Sequence, residues 1–344
     1  MGKFKSTHDI AKALGISAST VSRALNDHYS ISSKTKLRVI AYAQKIGFQK
    51  NLNASQLISK KTYTVGFVVP EITSHFFSTI CQGIKNILDP KDYDLLIMNS
   101  GESYEKEVKI IKHLLSIRVD AIIFIPTNHG NNYDHLIPIF KNKVPFVNID
   151  RAIIGMDCHK VLIDNKQGAF LATQHLIDIG CKNIAHLAGP ENTRNSANRL
   201  EGFKSALAAH GLQSDDSLIF FTDFRVENSR QVINQVFDRK DRPDGIFTVN
   251  DELGIGCLHR AIELNITVPD QLAIIGFDNE FYSKYFNPAL STIDSPIKEM
   301  GKKSASVCLR LIEEYDLHQP KSQILKPKLI IRKSSRRGNP RHFA

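Results

Sequence analysis

The chain has 344 residues, more than one hydrophobic core usually serves, so two or more compact units are expected. A composition of 42% hydrophobic and 23% charged residues is that of a globular protein and excludes disordered and fibrous classes. No apolar run approaches the roughly 20 residues of a membrane-spanning helix, and the first residues lack the apolar stretch of a secretory signal. These features predict a cytoplasmic protein without a membrane partner.

The positive charge of the chain is concentrated at its N-terminus. Residues 1–61 carry 11 Lys and Arg against 2 Asp, whereas the whole chain has a net charge of +10. Such a segment suits a polyanionic partner, because each phosphate that a cation neutralises releases condensed counterions. A solvated basic surface or a targeting arm is the alternative that charge alone leaves open.

Apolar residues in this basic segment recur at helical spacing and predict three short helices between residues 7 and 47. The expected N-caps are Thr7 for the first helix, Ser17 for the second, and Ser32 or Ser33 for the third. Gly15 is expected to end the first helix. Segment 7–26 is therefore predicted to be a helix-turn-helix, with a small core formed by Ile10, Ala11, Leu14, Val21 and Leu25.

The second predicted helix carries small polar side chains and one long cation on its outer face. The outward positions are expected to be Ser17, Ala18, Ser19, Ser22 and Arg23. Small side chains let a helix lie deep in the major groove of DNA. There Arg23 can read a guanine edge, and Ser19 and Thr20 can hydrogen-bond bases or phosphates.

From Tyr63 onward, β-branched runs alternate with amphipathic segments, a pattern typical of parallel strands joined by helices. Strands are predicted at 64–70, 93–98, 121–126, 145–149, 183–188, 218–222, 245–249 and 272–277. Helices are predicted at 78–88, 105–117, 168–179, 199–210 and 253–264. This number of strands exceeds one small sheet, so we expect two similar open α/β lobes that divide near residue 160.

The run D-I-A-x-x-x-G-I-S-x-S-T-V-S-R-x-L-N, from Asp9 to Asn26, resembles the headpiece of the lactose/galactose repressor (LacI/GalR) family. The remainder is similar to the family's periplasmic-binding-protein-like core, for example in Val65-Gly66-Phe67-Val68-Val69-Pro70 and Ile275-Gly276-Phe277-Asp278. The family's usual Gly-His pair is Gly180-Cys181 here.

This resemblance implies an all-α helix-turn-helix headpiece at 1–50, a hinge at 51–62, and a two-lobed, dimerising α/β core at 63–344. The implied partners are a pseudo-palindromic double-stranded DNA operator, a small-molecule effector and a second copy of the chain. The residues expected to contact DNA are Thr7, Ser17, Ala18, Ser19, Thr20, Ser22, Arg23, Asn26, Asn51, Ala54 and Leu57.

The family's hinge usually begins with Pro-Asn and carries an Arg before its leucine. This chain has Lys50-Asn51 and Ser55 at these positions and so departs from the pattern. The resemblance implies that Leu57 and its dimer mate insert into the minor groove and kink the duplex. The alternative is that Leu57 is an apolar linker residue packed on the next domain.

Polar residues follow several predicted strands, where a cleft between two lobes would lie. Asp150, Asn250 and Asp278 follow strands, and Arg199 opens a predicted helix. Carboxylates, an amide and a forked guanidinium suit the hydroxyls of a sugar or sugar phosphate, and Phe76, Phe77 and Phe224 can supply apolar faces. The alternatives for these residues are helix caps, a lobe-bracing salt bridge and core aromatics.

No catalytic constellation is specified. The chain lacks a G-x-S-x-G elbow, a P-loop, an H-E-x-x-H motif and a dinucleotide fingerprint, and its five cysteines form no C-x-x-C pair. We therefore expect no enzyme, cofactor or metal, and cysteines that are buried free thiols. A solute-binding protein and a sugar-directed α/β enzyme are the competing hypotheses.

The prediction that unites these features is an allosteric transcription regulator, most simply a repressor, controlled by a small ligand. Residues after Lys321 are basic and polar without apolar heptads. Because a dimer-pairing helix needs such heptads, a homodimer is expected rather than a tetramer.

Overall fold

The structure, a computed structural model, describes residues 5–48, 61–128, 132–314 and 320–337. The chain falls into two compact units, Met1–Thr62 and Tyr63–Ala344, which are called the headpiece and the core below. Within the described ranges no helix is both long and apolar enough to cross a membrane.

Three helices form the described part of the headpiece: α1 (Thr7–Leu14), α2 (Ala18–Leu25) and α3 (Ser33–Lys45). Their apolar faces enclose a small core in which Ile10, Val21 and Val39 have no exposed surface. The predicted helix-turn-helix is confirmed by these elements and their packing.

Ser6, and not the predicted Thr7, is the N-cap of α1. Its hydroxyl accepts from the backbone N–H of Asp9, and the Asp9 carboxylate accepts from the backbone N–H of Ser6 at 2.7 Å. This reciprocal capping box satisfies two donors that a helix start leaves open, so the helix begins one residue after Ser6. Gly15 ends α1 as predicted, with a φ of 65° that favours glycine.

The core contains twelve strands within its described residues. They are β1 (Thr64–Val69), β2 (Asp94–Asn99), β3 (Ala121–Phe124), β4 (Phe146–Ile149), β5 (His159–Ile163), β6 (Ile184–Ala188), β7 (Ile219–Phe221), β8 (Gly245–Thr248), β9 (Ala273–Phe277), β10 (Ser291–Asp294), β11 (Ser322–Leu325) and β12 (Lys328–Ile330).

Eight α-helices accompany these strands in the described ranges of the core. They are α4 (His75–Leu88), α5 (Tyr104–Ser116), α6 (Ile137–Lys141), α7 (Asn165–Asp178), α8 (Arg194–Ala209), α9 (Val226–Phe237), α10 (Asp251–Glu263) and α11 (Ile297–Glu313).

The strands form two six-stranded sheets. The sheet of lobe 1 has the order β2-β1-β3-β4-β5-β11 and is parallel throughout. The sheet of lobe 2 has the order β7-β6-β8-β9-β10-β12, in which only β12 is antiparallel to its neighbour. Strands β3, β6 and β9 are buried along their whole length, which is typical of a parallel sheet covered on both faces.

The predicted division near residue 160 describes the chain only up to β10. After β10 the chain returns to lobe 1 with α11 and β11, and it then crosses back to form β12. The return is driven by packing, because Ile297, Met300 and Leu311 of α11 are buried in the core of lobe 1. Three crossover segments therefore join the lobes, after β5, after β10 and between β11 and β12.

Four of the five cysteines, Cys158, Cys181, Cys257 and Cys308, are buried free thiols as predicted. Cys81, on α4, is also free but only half-buried. Burial raises the pKa of the Cys158 thiol to about 11, so this thiol is protonated at neutral pH.

Candidate DNA-binding surface and ligand cleft

The N-terminus of α2 holds three hydroxyls in one cluster. Ser17 caps the helix by accepting from the backbone N–H of Thr20 at 3.1 Å. Its Oγ also lies 2.8 Å from the hydroxyl oxygens of both Ser19 and Thr20. These predicted DNA contacts are thus fixed by the cap of the helix itself.

The remaining predicted contacts in the headpiece differ in exposure. Arg23 and Asn26 are exposed, as are Ser17 and Ser19, whereas Thr7, Ala18, Thr20 and Ser22 are half-buried. Asn51, Ala54 and Leu57 lie outside the described residues.

The charges around α2 favour an anionic partner. No acidic residue lies in its first turn, so the positive end of the helix dipole is uncompensated there. Asp27 lies just beyond the helix and forms an ion pair with Lys36 at 2.7 Å. The hydrogen bond and charge of Lys36 lower the pKa of Asp27, which keeps this pair ionised.

A cleft with a volume of about 1170 Å³ lies between the two lobes of the core. The structure brings all seven predicted ligand residues to this cleft. Lobe 1 contributes Phe76, Phe77 and Asp150, and lobe 2 contributes Arg199, Phe224, Asn250 and Asp278.

Arg199 lies in the second turn of α8 and does not open the helix as predicted, because the helix begins five residues earlier at Arg194. Its guanidinium is 3.7 Å from the centre of the Phe277 ring. Nε donates to Asn165 Oδ1 at 2.8 Å, Nη2 donates to Asp278 Oδ1 at 3.3 Å, and Nη1 donates to the Val249 carbonyl. This cation is buried and held from three sides.

The two predicted carboxylates follow equivalent strands of the two lobes. Asp150 comes directly after β4 and Asp278 directly after β9, with φ values of 61° and 95°. These left-handed conformations turn the chain sharply at the strand ends. Burial raises the pKa of Asp150, while the charges of Arg151 and Arg199 act in the opposite direction.

Asn250 is the N-cap of α10. Its Oδ1 accepts from the backbone N–H of Leu253 at 3.0 Å, and its Nδ2 donates to the carbonyl of Phe224 at 2.8 Å. Both polar atoms have partners inside the protein, as in the helix-cap alternative. Asn250 thereby fixes the backbone of Phe224, which is half-buried beside the cleft.

The two adjacent phenylalanines of lobe 1 differ in burial. Phe77 is 8% exposed and packs into the core of lobe 1, in agreement with the core-aromatic alternative. Phe76 is half-buried, and its ring meets that of Phe77 edge-on with centroids 5.2 Å apart. Phe76 is therefore the one of the pair whose face is more accessible to a ligand.

Several charged cleft residues were not predicted. Two side-chain contacts cross between the lobes: His75 Nδ1 lies 2.8 Å from Glu280 Oε2, and Arg225 Nη2 forms an ion pair with Glu71 Oε1 at 2.5 Å. Burial lowers the pKa of His75. Burial and the carboxylates of Asp278 and Asp251 raise the pKa of Glu280 to about 8. Glu71 closely follows β1. It could have been predicted in the same way as Asp150, from its position after the carboxyl end of a strand.

Comparisons with known proteins agree with these two units. Residues 6–51 match the family described as bacterial regulatory proteins, lacI family, and residues 173–335 match a periplasmic binding protein-like domain. Catabolite control protein A of Priestia megaterium is 32% identical over 309 residues, covering 90% of this chain and 91% of that protein. The chain belongs to the LacI family.

Three further proteins match over almost their whole length. The HTH-type transcriptional regulator DegA of Bacillus subtilis is 32% identical, covering 95% of this chain and 97% of that protein. A LacI family regulator from Enterococcus faecium, solved with bound ribose, has a TM-score of 0.70 at 30% identity over 79% of this chain and 98% of that one. The structure of the lac repressor dimer bound to operator and an anti-inducer is 23% identical and has a TM-score of 0.86. The match covers 97% of this chain and 99% of that chain and supports the fold.

This LacI-family protein is accordingly a DNA-binding transcription regulator and not an enzyme. The predicted family and the predicted fold class, a helix-turn-helix headpiece with a two-lobed α/β core, are confirmed. The headpiece also separates the chain from solute-binding proteins that only capture a ligand, because capture alone requires no helix-turn-helix.

Proposed function

We propose that this regulator is a cytoplasmic homodimeric repressor whose operator affinity is set by a sugar, or a sugar phosphate, bound in the cleft between the lobes. The headpiece binds one half-site of a pseudo-palindromic operator through α2. Residues 51–62 act as the hinge, in which Asn51, Ala54 and Leu57 contact DNA and Leu57 inserts at the operator centre.

The observation that carries the ligand proposal is the set of groups around one cleft. Asp150 and Asp278 can accept from hydroxyls, and Arg199 can donate to them in fixed directions. Phe76 and Phe224 line the same cleft and offer apolar faces to a ring. The relative from Enterococcus faecium was solved with ribose, and another, 28% identical, is the ribose operon repressor of Halalkalibacterium halodurans.

The mechanism follows from linkage. A ligand that binds one arrangement of the lobes more tightly shifts the population toward it. If that arrangement positions the two headpieces of the dimer differently, operator affinity changes by the same coupling free energy. The three crossover segments of the core are the places where such a change in lobe arrangement occurs.

A sugar panel tests the ligand proposal. D-Ribose, cellobiose and the phosphate esters of common sugars are added to the full-length protein, and melting temperature is recorded. A ligand at a hundred times its dissociation constant stabilises by about 2.7 kcal/mol, which is a readily measured shift. Absence of any shift across the panel would contradict the sugar class.

Variants then test the site. Arg199→Ala and Asp278→Asn are expected to weaken binding of the active sugar by about a thousandfold, because each breaks a buried, charged contact. Arg239→Ala is the matched control, since Arg239 pairs with Asp241 outside the cleft. Equal loss of binding in all three variants would mean that the cleft is not the site.

Operator binding is tested with a DNA duplex that the full-length protein has selected from a random library. Ligand-free affinity of Arg199→Ala for this duplex should remain within about twofold of wild type. Parallel loss of ligand binding, duplex binding and melting temperature would mean that Arg199 only braces the fold.

A further inference from the structure

Two asparagines that sequence reasoning did not single out lie between the charged groups of the two lobes. Asn195, in the first turn of α8, donates from Nδ2 to Asp150 Oδ1 at 3.2 Å. Asn165, the first residue of α7, donates from Nδ2 to Asn195 Oδ1 at 3.3 Å. Asn165 Oδ1 in turn accepts from Arg199 Nε at 2.8 Å. A continuous relay of hydrogen bonds thus joins Asp150 of lobe 1 to Arg199 of lobe 2.

The relay is attached to two of the three crossover segments. Asn165 follows the first crossover, and its Nδ2 also donates to the carbonyl of Ile163 at the end of β5, at 3.3 Å. At the other end, Arg199 contacts Asp278, whose Oδ1 accepts from Ser295 Oγ at 3.0 Å. Ser295 lies directly after β10, on the second crossover. Groups at the cleft and groups at the crossovers therefore belong to one network.

The direction of every bond in the relay is fixed by Arg199. The guanidinium of Arg199 can only donate, and Asp150 Oδ1 accepts at the other end. Each asparagine between them must therefore accept on the Arg199 side and donate on the Asp150 side, which an amide can do and a carboxylate cannot. Asp150, Asn165 and Arg199 are all less than 8% exposed, so water cannot easily replace a lost partner.

We propose that Asn165 and Asn195 are positioning residues that hold Asp150 and Arg199 in register and couple ligand binding to the arrangement of the lobes. This inference rests on the proposed function of the cleft as the effector site. A ligand that draws Asp150 or Arg199 toward itself changes the hydrogen bonds of the relay and with them the contacts at the crossovers.

The test uses the full-length protein, D-ribose as the probe and calorimetric titration. Asn195→Ala is expected to raise the dissociation constant of D-ribose by about tenfold or more, since it removes a hydrogen bond to a charged group. Asn195→Asp keeps the shape of the side chain but places a carboxylate oxygen against the acceptor Asp150 Oδ1, so it should weaken binding at least as much. Asn142→Ala, which removes a side-chain bond to the Pro138 carbonyl on the surface of lobe 1, is the matched control.

Coupling is read separately from affinity. At saturating D-ribose, Asn195→Ala should show a smaller maximal change in affinity for the selected operator duplex than wild type, with its ligand-free duplex affinity unchanged. A merely structural role would instead lower melting temperature, ligand binding and duplex binding together, and that result would overturn the proposal. Unchanged D-ribose affinity in Asn195→Ala would overturn it while leaving the proposed function intact.

If no sugar of the panel binds, the proposed function is contradicted. A measurement without ligand then tests whether the residues of the relay interact. Asn195→Ala, Asp150→Asn and the double variant form a cycle in which the free energy of unfolding of the full-length protein is measured in urea. Non-additive changes support the relay, because contacting residues couple. Additive changes would show that Asn195 and Asp150 do not interact, and the relay would be abandoned.

Discussion

The headpiece and the cleft assemble their functional groups by different routes. In the headpiece, Ser17, Ser19, Thr20 and Arg23 belong to one helix and its cap, and the spacing along that helix determines which of them are exposed. In the cleft, Asp150 and Arg199 lie in different lobes and are joined by hydrogen bonds through Asn165 and Asn195. The first is a local arrangement, and the second depends on the topology of the whole core.

Single substitutions therefore act differently in the two regions. A change at an exposed position of α2 alters a surface without disturbing buried packing, because the side-chain hydrogen bonds of Ser17, Ser19 and Thr20 lie within three residues. A change at Arg199 alters contacts with Asn165, Val249 and Asp278, which belong to three separate segments. Substitutions in the headpiece should therefore separate binding from stability more cleanly than substitutions in the cleft.

The largest expected effect comes from removing the headpiece. Deletion of residues 1–60 should abolish binding to the selected duplex, because most of the net positive charge and the whole of α2 are lost. The core should keep a cooperative melting transition, since its two sheets and buried clusters lie within residues 63–344. The measurement is duplex binding by fluorescence anisotropy together with thermal melting.

Full-length protein under the same conditions is the control for this deletion. Duplex affinity that survives in the truncated protein would place the DNA-binding surface on the core. A truncated protein without a melting transition would show that the two units do not fold independently.

The same contrast explains how much of the fold was predictable. All eight predicted strands are present, within two residues at each end, because apolar residues dominate each of them. Strand β10 was missed because its buried side chains include Ser291 and Thr292, which are satisfied by hydrogen bonds to the Arg332 carbonyl and to Asp251. Hydrophobic periodicity cannot detect a strand that is buried through polar contacts.

The candidate site was predictable to a similar extent. The position of Asp150 and Asp278 after strands followed from the rule that cleft residues lie at the carboxyl ends of parallel strands. Asn165 and Asn195 were missed because their role depends on a crossover and on a partner in the other lobe. Such contacts have no signature in local spacing, and only the topology reveals them.

The folding stability of the two units should respond to pH in opposite directions. Asp251 in the core is fully buried, and its carboxylate accepts from Ser283 and Thr292 at 2.5 Å each. Burial raises its pKa from 3.8 to about 7, against the effect of these hydrogen bonds. Because the folded core then holds this proton more tightly than the unfolded chain, its stability should fall as pH rises from about 4 to about 7.

The expected size is up to about 4 kcal/mol, since each unit of pKa shift corresponds to about 1.4 kcal/mol. Urea unfolding of residues 61–344 between pH 4 and 8 measures it, and Asp251→Asn should flatten the slope. In the headpiece, the lowered pKa of Asp27 acts the other way, with stability lost as pH falls through that pKa. Equal slopes for wild type and Asp251→Asn would show that Asp251 is not the titrating group.

The smallest expected effect distinguishes a helix cap from a DNA contact inside the headpiece. Ser17 and Ser32 cap α2 and α3 in the same way: each Oγ accepts from the backbone N–H three residues on and lies within 2.9 Å of a threonine hydroxyl. Ser17→Ala and Ser32→Ala should therefore each lower headpiece stability by a similar amount, about 1 kcal/mol.

Only Ser17 also belongs to the hydroxyl cluster on the proposed recognition surface, where it helps to orient Ser19 and Thr20. After correction for the folded fraction, Ser17→Ala should weaken affinity for the selected duplex by several-fold, whereas Ser32→Ala should leave it unchanged. Thermal melting of each variant supplies the correction, and anisotropy titrations supply the affinity. If both variants lose the same affinity, the cluster acts only as a cap, and recognition by α2 must depend on Arg23 and the residues that follow it.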